Sequence, residues 1–153
     1  MTHLSDFDTA QQRFAAAFAP LDAATSVPIA QASGHVLAAP LTAVLDQPPA
    51  DHSAMDGYAV RHADLAHGEP LRVAQRCYAG DTPAPLAPRT AARLFTGGLI
   101  PPGADTVVMQ EHAHERDGGV TFDVPQRSGS HIRRRGEEVR AGELLVPAGV
   151  RMG

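Results

Sequence analysis

Glycine and proline set the strongest constraint on how this chain folds, since it carries 14 glycines and 13 prolines in 153 residues. Glycine reaches backbone conformations that other residues avoid, and proline fixes its own φ angle and lacks an amide donor. A chain with so many of these residues reverses direction often, which favours short strands joined by turns over a helical bundle. Tryptophan is absent and aromatic residues make up only 5%, so we expect a core of aliphatic side chains.

One segment, residues 5–19, has the spacing of an amphipathic helix. Phe7, Phe14 and Phe18 are spaced by seven and four residues, which places them on one helix face, and Pro20 ends the pattern. The sequence therefore predicts a single N-terminal helix.

The rest of the chain reads as strands and turns. The predicted strands are residues 57–61, 71–78, 93–96, 106–114, 120–124 and 142–146. Asp117-Gly118-Gly119 supplies residues that tolerate the positive φ angle of a hairpin turn, so we expect the strands at 106–114 and 120–124 to pair. One helix followed by many short strands predicts an α+β fold that is rich in β-structure.

Charge and cysteine content exclude several classes of protein. The formal net charge of −4 argues against an extended phosphate-binding surface, so we expect no nucleic-acid partner. The single cysteine, Cys77, has no intramolecular disulfide partner, which fits a reducing compartment and a small core residue. We see neither a signal-peptide pattern nor an apolar run of membrane-spanning length. These features predict a cytoplasmic protein with no membrane partner.

The stretch "ADHSAMDGYAV", residues 50–60, concentrates polar side chains before a predicted strand. Asp56 precedes Gly57, and a ligand can approach such a carboxylate closely because glycine has no Cβ atom. Read alone, Ser53 and the two aspartates also suit a turn in which they bond to nearby backbone groups. Asp51 and Asp56 together would suit a carboxylate-dependent hydrolase, although no nucleophile and base accompany them.

A second stretch, residues 94–111, contains the turn Thr96-Gly97-Gly98 between two predicted strands. Consecutive glycines expose amide hydrogens that can line an anion nest, and the Thr96 hydroxyl adds a donor. The Gly-Lys-Ser/Thr ending of a Walker loop is missing, so an ordinary hairpin-like loop is the alternative interpretation.

A third stretch, "HIRRRGEEVRAGE", covers residues 131–143 and carries three successive arginines. Alternate side chains of a strand point to opposite faces, so one or two of the arginines would face a site. Glu137 and Glu138 would otherwise neutralise the cluster and leave a solvated run of charges.

Taken together, the three stretches resemble the N-terminal region of the molybdopterin molybdotransferase family, called MoeA in bacteria and represented in animals by the C-terminal part of gephyrin. The family pattern runs "PPFDNSAMDGYAVR", "TGAxxPxGADxVVxxE" and "RRxGED". Its counterparts here are residues 48–61, 96–111 and 134–138, and "SAMDGYAV" is identical. The order and spacing also match, so the similarity covers nearly the whole chain.

The resemblance implies an enzyme that inserts molybdenum from molybdate into adenylylated molybdopterin, releasing AMP, with a divalent cation such as Mg²⁺. It implies that Asp56 and Thr96 are the catalytic residues of the cleft. The binding residues that it implies are Ser53, Gly97, Gly98, Arg133 and Glu138.

Electrostatics limits what Asp56 can do. A carboxylate about 4 Å from even one negative charge of molybdate is repelled by about 4 kcal/mol at an effective dielectric constant of about 20. We therefore expect Asp56 to bind Mg²⁺ or to orient water during adenylate cleavage, while arginines and backbone amides hold the anions.

The chain departs from the family pattern at several positions. Ala50-Asp51-His52 stands where the family has Phe-Asp-Asn, Gly98 replaces an alanine, and Glu138 replaces an aspartate. The longer Glu138 side chain shifts its carboxylate relative to the family's site. Histidine is the residue type best suited to a pH-dependent role, so His52 predicts a site that is more sensitive to pH than the family's.

The resemblance also implies a division into lobes. Residues 1–43 and 128–153 would form an elongated dimerisation lobe, and residues 44–127 an inserted lobe of short antiparallel strands that carries cleft residues. The family's molybdopterin-binding and β-barrel domains would follow, so we expect this chain alone to be inactive. Implied partners are a second copy of the chain, those further domains, and molybdopterin adenylyltransferase upstream. The alternative is a non-catalytic dimerisation or scaffold module of the same fold.

Overall fold

A computed structural model describes residues 6–19, 23–123 and 127–153. Within these residues the chain forms one α-helix and ten strands, which confirms the β-rich α+β class. The helix is α1 (Phe7–Ala16), and the strands are β1 (Leu41–Thr42), β2 (His52–Ser53), β3 (Gly57–Val60), β4 (Leu71–Cys77), β5 (Thr90–Leu94), β6 (Thr106–Met109), β7 (Ala113–Arg116), β8 (Gly119–Phe122), β9 (Ile132–Arg133) and β10 (Leu144–Val146). Short 3₁₀ helices cover Ile29–Gln31, His62–His67 and Gln110–His112.

The chain divides into two compact units. One unit comprises Met1–Leu41 and Val146–Gly153, and the other comprises Thr42–Leu145. Residues 128–145 therefore fall within the larger unit, whereas the resemblance placed them in the elongated lobe. The functional division into a dimerisation lobe and an inserted lobe stays a prediction.

The smaller unit contains α1, which confirms the predicted N-terminal helix. Asp6 is its N-cap, since one carboxylate oxygen accepts the Thr9 amide hydrogen at 2.9 Å. None of the helix residues is buried, and Phe7 and Phe14 are 78% and 69% exposed. The apolar face of α1 is therefore uncovered in this chain. Within the described ranges, none of the helices has the length and apolar character needed to cross a bilayer.

The larger unit is built around a six-stranded sheet with the order β6-β3-β5-β4-β8-β7. Neighbouring strands are antiparallel except β4 and β5, which run parallel. Successive residues of β3 and β6 belong to different core clusters, because alternate side chains point to opposite faces of a strand. Val60 and Val108 lie in one cluster, whereas Ala59 and Val107 lie in the other. Both faces of the central strands are therefore buried.

The predicted strand at 106–114 is interrupted in the structure. β6 ends at Met109, a 3₁₀ turn follows, and β7 begins at Ala113. The Gln110 amide still donates to the Asp56 carbonyl at 3.0 Å, and the chain then turns because the Ala113 amide donates to the Gln110 carbonyl. The predicted hairpin is formed by β7 and β8, and its turn residues Asp117 and Gly118 have φ angles of 52° and 75°.

The predicted strand at 93–96 is also shifted. β5 covers Thr90–Leu94 and stops there because the Gly98 amide donates to the Phe95 carbonyl at 2.8 Å and closes a turn. This early stop places Thr96 in the turn and outside the sheet.

Candidate functional site

Strand β2 brings the three sequence motifs together. On one side, the Ser53 amide donates to the Gly98 carbonyl at 2.8 Å, and the Gly97 amide donates to the Ser53 carbonyl at 2.9 Å. On the other side, the Ala54 amide donates to the His131 carbonyl at 2.9 Å, and β2 pairs with β9. The first motif is therefore held between the second and the third, all within the larger unit.

Ser53 shapes the turn that carries Asp56. Its side chain is buried, at 1% exposure, and its hydroxyl donates to the Met55 carbonyl at 2.6 Å. The Met55 amide in turn donates to the same hydroxyl at 3.4 Å. These bonds engage the hydroxyl within the protein, so Ser53 positions the turn through its side chain.

Gly57 fixes how closely the turn approaches the sheet. A Cβ atom at this position would lie 2.1 Å from the Val108 carbonyl oxygen and 2.9 Å from its carbon. Only glycine allows β3 to lie this close to β6. The close approach places Asp56 at the end of the sheet, where its carbonyl accepts the Gln110 amide.

Asp56 and Thr96 form a direct pair. One oxygen of the Asp56 carboxylate, Oδ1, accepts both the amide and the hydroxyl hydrogen of Thr96, each at 2.8 Å. The amide bond, then the hydroxyl bond, lowers the pKa of Asp56 below its ordinary value, with a smaller contribution from the charge of Arg93 and partial opposition from burial. Asp56 is therefore ionised at neutral pH. Among the described residues no group donates to Oδ2, which leaves this oxygen for a cation or water.

The Thr96-Gly97-Gly98 turn does not form the expected anion nest. The amides of these residues donate to the Asp56 carboxylate, the Ser53 carbonyl and the Phe95 carbonyl, respectively. All three hydrogens are used within the protein. Thr96 and Gly97 are exposed, so the turn presents a hydroxyl oxygen and a carboxylate oxygen to its surroundings.

Arg93 is a buried cation behind the site that sequence reasoning missed. It is 9% exposed, and its guanidinium donates to the carbonyls of Gly57 and Leu94 and to the Gln110 side-chain oxygen. The same group lies 4.6 Å from the centroid of the Phe95 ring. The available signal was a lone arginine inside the apolar strand "TAARL", all of whose residues are buried.

In the arginine cluster, Arg133 is paired with acidic residues of the same stretch. Arg133 donates from Nε to Glu137 at 2.8 Å and also pairs with Glu138. Glu137, then Glu138, raises the pKa of Arg133, while Arg133 and the Arg134 amide lower the pKa of Glu137. Arg133 and Glu138 therefore bind each other, and the positive charge of Arg133 is compensated by the two glutamates.

Asp51 holds the third motif against the first. It accepts the Arg134 guanidinium at 2.7 Å and the Arg135 amide at 2.8 Å. Burial acts to raise the pKa of Asp51, but the Arg135 and Arg134 bonds together outweigh it and the pKa is lowered. Asp51 and Asp56 thus have separate hydrogen-bond partners: Arg134 and Arg135 for Asp51, and Thr96 for Asp56.

His52 lies beside this network, opposite Arg133 in the β2–β9 pair. Its Nδ1 atom is buried and has no hydrogen-bond partner in the described part of the chain. The pH sensitivity expected from His52 stays a prediction. Across the same residues, His, Cys, Asp and Glu side chains form no group of three or more able to hold a metal ion.

Comparison with protein families gives a match over residues 5–153 to the model described as the MoeA N-terminal region, domains I and II. A molybdopterin molybdenumtransferase of Nostoc sp. is 39% identical over 127 residues, covering 79% of this chain and 29% of the relative. Molybdopterin molybdenumtransferase 2 of Mycobacterium tuberculosis is 41% identical over 133 residues, covering 81% of this chain and 32% of the relative. The chain thus spans about a third of the length of these relatives.

Comparison with solved structures gives the same fold. The crystal structure of a molybdopterin biosynthesis MoeA protein from Pyrococcus horikoshii matches with a TM-score of 0.76 and 32% sequence identity. The match covers 83% of this chain and 34% of that structure.

Proposed function

Because the chain belongs to the family of the MoeA N-terminal region, we propose that it is the N-terminal part of a molybdenum-inserting transferase. The reaction converts molybdate and adenylylated molybdopterin into molybdenum cofactor and AMP. The observation that carries the proposal is the exposed Asp56–Thr96 pair, which joins two of the motifs shared with the family. The names of the curated relatives support the same activity.

The pair suits the handling of a cation or water better than direct contact with an anion. Asp56 is ionised, and the three amides of the Thr96-Gly97-Gly98 turn are used within the protein. Molybdate placed directly against this carboxylate would be repelled. The role of Asp56 in the proposal is to hold a cation or to orient the water that attacks the adenylate, with Thr96 fixing the carboxylate.

The oxygen donors of Asp56 and Thr96 suit Mg²⁺. Mg²⁺ is usually held by one or two carboxylates, several waters and the phosphates of the substrate, without a dedicated protein cage. One open carboxylate oxygen on Asp56, beside the Thr96 hydroxyl oxygen, meets that requirement. When bound, Mg²⁺ would neutralise charge on the phosphates. Asp56 would be the ligand that this chain supplies.

Arg133 would exchange a glutamate partner for the anionic substrate. Its guanidinium is bonded to Glu137 and Glu138, so contact with an anionic substrate requires it to exchange at least one of these bonds. Bidentate guanidinium groups bind phosphate strongly, which makes this exchange chemically reasonable. Glu138 would act in the proposal by setting the position of Arg133.

Other chains and domains complete the proposed site. Val44 and Leu45 are 86% and 70% exposed, and Leu144 is 56% exposed. Such exposed aliphatic side chains, with the uncovered face of α1, support a homodimer and contact with further domains of the family. A molybdopterin adenylyltransferase would supply the substrate in the cytoplasm.

The experiment that tests the proposal replaces the corresponding region of the Mycobacterium tuberculosis relative with this chain. The chimera is supplied with adenylylated molybdopterin, Mg²⁺ and molybdate, and AMP release and cofactor formation are measured. We expect turnover by the chimera and a loss of at least about 100-fold in Asp56→Ala, since one group that positions or activates the attacking water supplies a factor of this size. Asp123→Ala, an exposed aspartate at the end of β8, is the matched control and should keep its activity.

A scaffold module of the same fold would give a different result. If the chain were only a scaffold, Asp56→Ala would not change its assembly. The Asp56→Ala chimera would then be as active as the Asp123→Ala control. That outcome would refute the proposed role of the pair.

A further inference from the structure

An exposed aromatic ring lies next to the Asp56–Thr96 pair. Tyr78 directly follows β4 and is 56% exposed. One face of its ring is stacked on Phe95, with ring centroids 4.7 Å apart and planes 6° from parallel. Phe95 immediately precedes Thr96 in the chain. Within the described residues no second aromatic ring stacks on Tyr78, and the 56% exposure of this residue leaves surface for a ligand on the side away from Phe95.

The backbone also places Tyr78 at the site. β4 and β5 run parallel with Cys77 opposite Leu94, so the chain after β4 continues beside the turn after β5. A Cβ atom on Gly97 would lie 3.9 Å from the Ala79 Cβ atom. The exposed ring therefore stands at the edge of the turn that holds Thr96.

The ring is held in place before any ligand arrives. The Tyr78 amide donates to the Asp81 carboxylate at 2.8 Å, and the Asp81 amide donates back to the Tyr78 carbonyl at 3.1 Å. Beneath Phe95 lies the buried Arg93 guanidinium, which is also 5.2 Å from the Tyr58 ring centroid. A surface that is already ordered binds a flat ligand without a large cost in side-chain ordering.

We propose that the outer face of Tyr78 is a stacking subsite for the planar heteroaromatic ring of an adenylylated pterin. The substrate class rests on the proposed function, and the subsite adds the residue that orients its ring beside Asp56. Adenine and pterin are both flat, polarisable heteroaromatic rings, and an aromatic side chain stacks on either. Stacking also needs no amide donors, which suits a turn whose amides are already used.

The test is a proton NMR titration of the 153-residue chain with two separate probes, AMP with Mg²⁺ and 6-hydroxymethylpterin. Tyr78→Phe keeps the ring, whereas Tyr78→Leu keeps apolar bulk without a ring. We expect saturable upfield shifts of the probe's ring protons with wild type and Tyr78→Phe. Tyr78→Leu should weaken binding at least about five-fold, the lower end of what base–aromatic stacking contributes.

The two probes distinguish the source of the ring. Shifts with AMP assign the subsite to adenine, and shifts with the pterin assign it to the pterin. Equal affinity of wild type and Tyr78→Leu, or no saturable shift with either probe, would overturn the proposal. The amide spectrum of each variant checks its fold, and Tyr78→Gln replaces Tyr78→Leu in the titration if the latter unfolds. Because this readout needs no turnover, its failure is distinct from failure of the transferase proposal.

Discussion

Asp56 and Thr96 are separated by 40 residues, yet a single carboxylate oxygen accepts two hydrogens from Thr96. In the part of the chain that the structure describes, no group donates to the second carboxylate oxygen. The pair thus combines a fixed geometry with one oxygen available for a ligand. Its ionisation, the close packing of Gly57 and the buried charge of Arg93 each lead to a measurable prediction.

The first prediction concerns the pH dependence of stability. The pKa of Asp56 is lowered in the folded state, so its ionised form stabilises the fold. That stability is present above the ordinary aspartate pKa of about 3.9 and is lost as the pH falls through the lower folded value. Asp56→Asn should therefore be less stable than wild type at pH 7, and the two should converge on acidification.

Urea denaturation at a series of pH values measures this convergence. Asp117→Asn, in the exposed hairpin turn, is the matched control and should follow wild type throughout. If the difference in unfolding free energy between wild type and Asp56→Asn did not change with pH, the lowered pKa would be contradicted.

The second prediction concerns Gly57. Gly57→Ala places a Cβ atom 2.1 Å from the Val108 carbonyl oxygen, so the two strands must separate. Forcing an atom into such a contact should lower the free energy of unfolding by at least about 2 kcal/mol. Gly68→Asn is the control, since its surroundings are open and asparagine tolerates a positive φ angle. Equal denaturation midpoints for Gly57→Ala and Gly68→Asn would contradict this prediction, because β3 and β6 would then separate at little cost in free energy.

The third prediction concerns Arg93. Arg93→Met leaves the carbonyls of Gly57 and Leu94 and the Gln110 side chain without their charged donor. Loss of these bonds in a buried place should cost about 2–4 kcal/mol of unfolding free energy. Arg93→Lys keeps the charge but not the planar fork, and should fall between wild type and Arg93→Met. Urea unfolding measures all three, and a methionine variant as stable as wild type would mean that the acceptors find other donors.

Local patterns predicted the helix, most strands of the sheet and the β7–β8 hairpin, because spacing and turn residues act over short distances. The break at Gln110 was not predicted, since no glycine or proline marks the 3₁₀ turn Gln110–His112 in the sequence. The short strands β1, β2 and β9 were missed for a different reason. Each has only two residues and exists through pairing with a remote segment.

The site was predicted in part. The resemblance identified Asp56 and Thr96, and the structure brings them together. The resemblance gave no indication that the amides of the Thr96 turn are used internally. Neutralisation of the arginines by Glu137 and Glu138 was the alternative interpretation of the third stretch, and Arg133 does bond to both. Those facts depend on which of several possible partners each group meets in the folded chain.

The most direct test of the account is a double-mutant cycle on the molybdenum-transfer rate of the chimera, using Thr96→Val and Asp56→Ala. If Thr96 acts by fixing Asp56, Thr96→Val should lower the rate in the wild-type background and have no further effect once Asp56 is alanine. Thr96→Ser, which keeps the hydroxyl, should restore most of the rate. Losses that simply multiply in the double variant would contradict the account, because the two residues would then act independently.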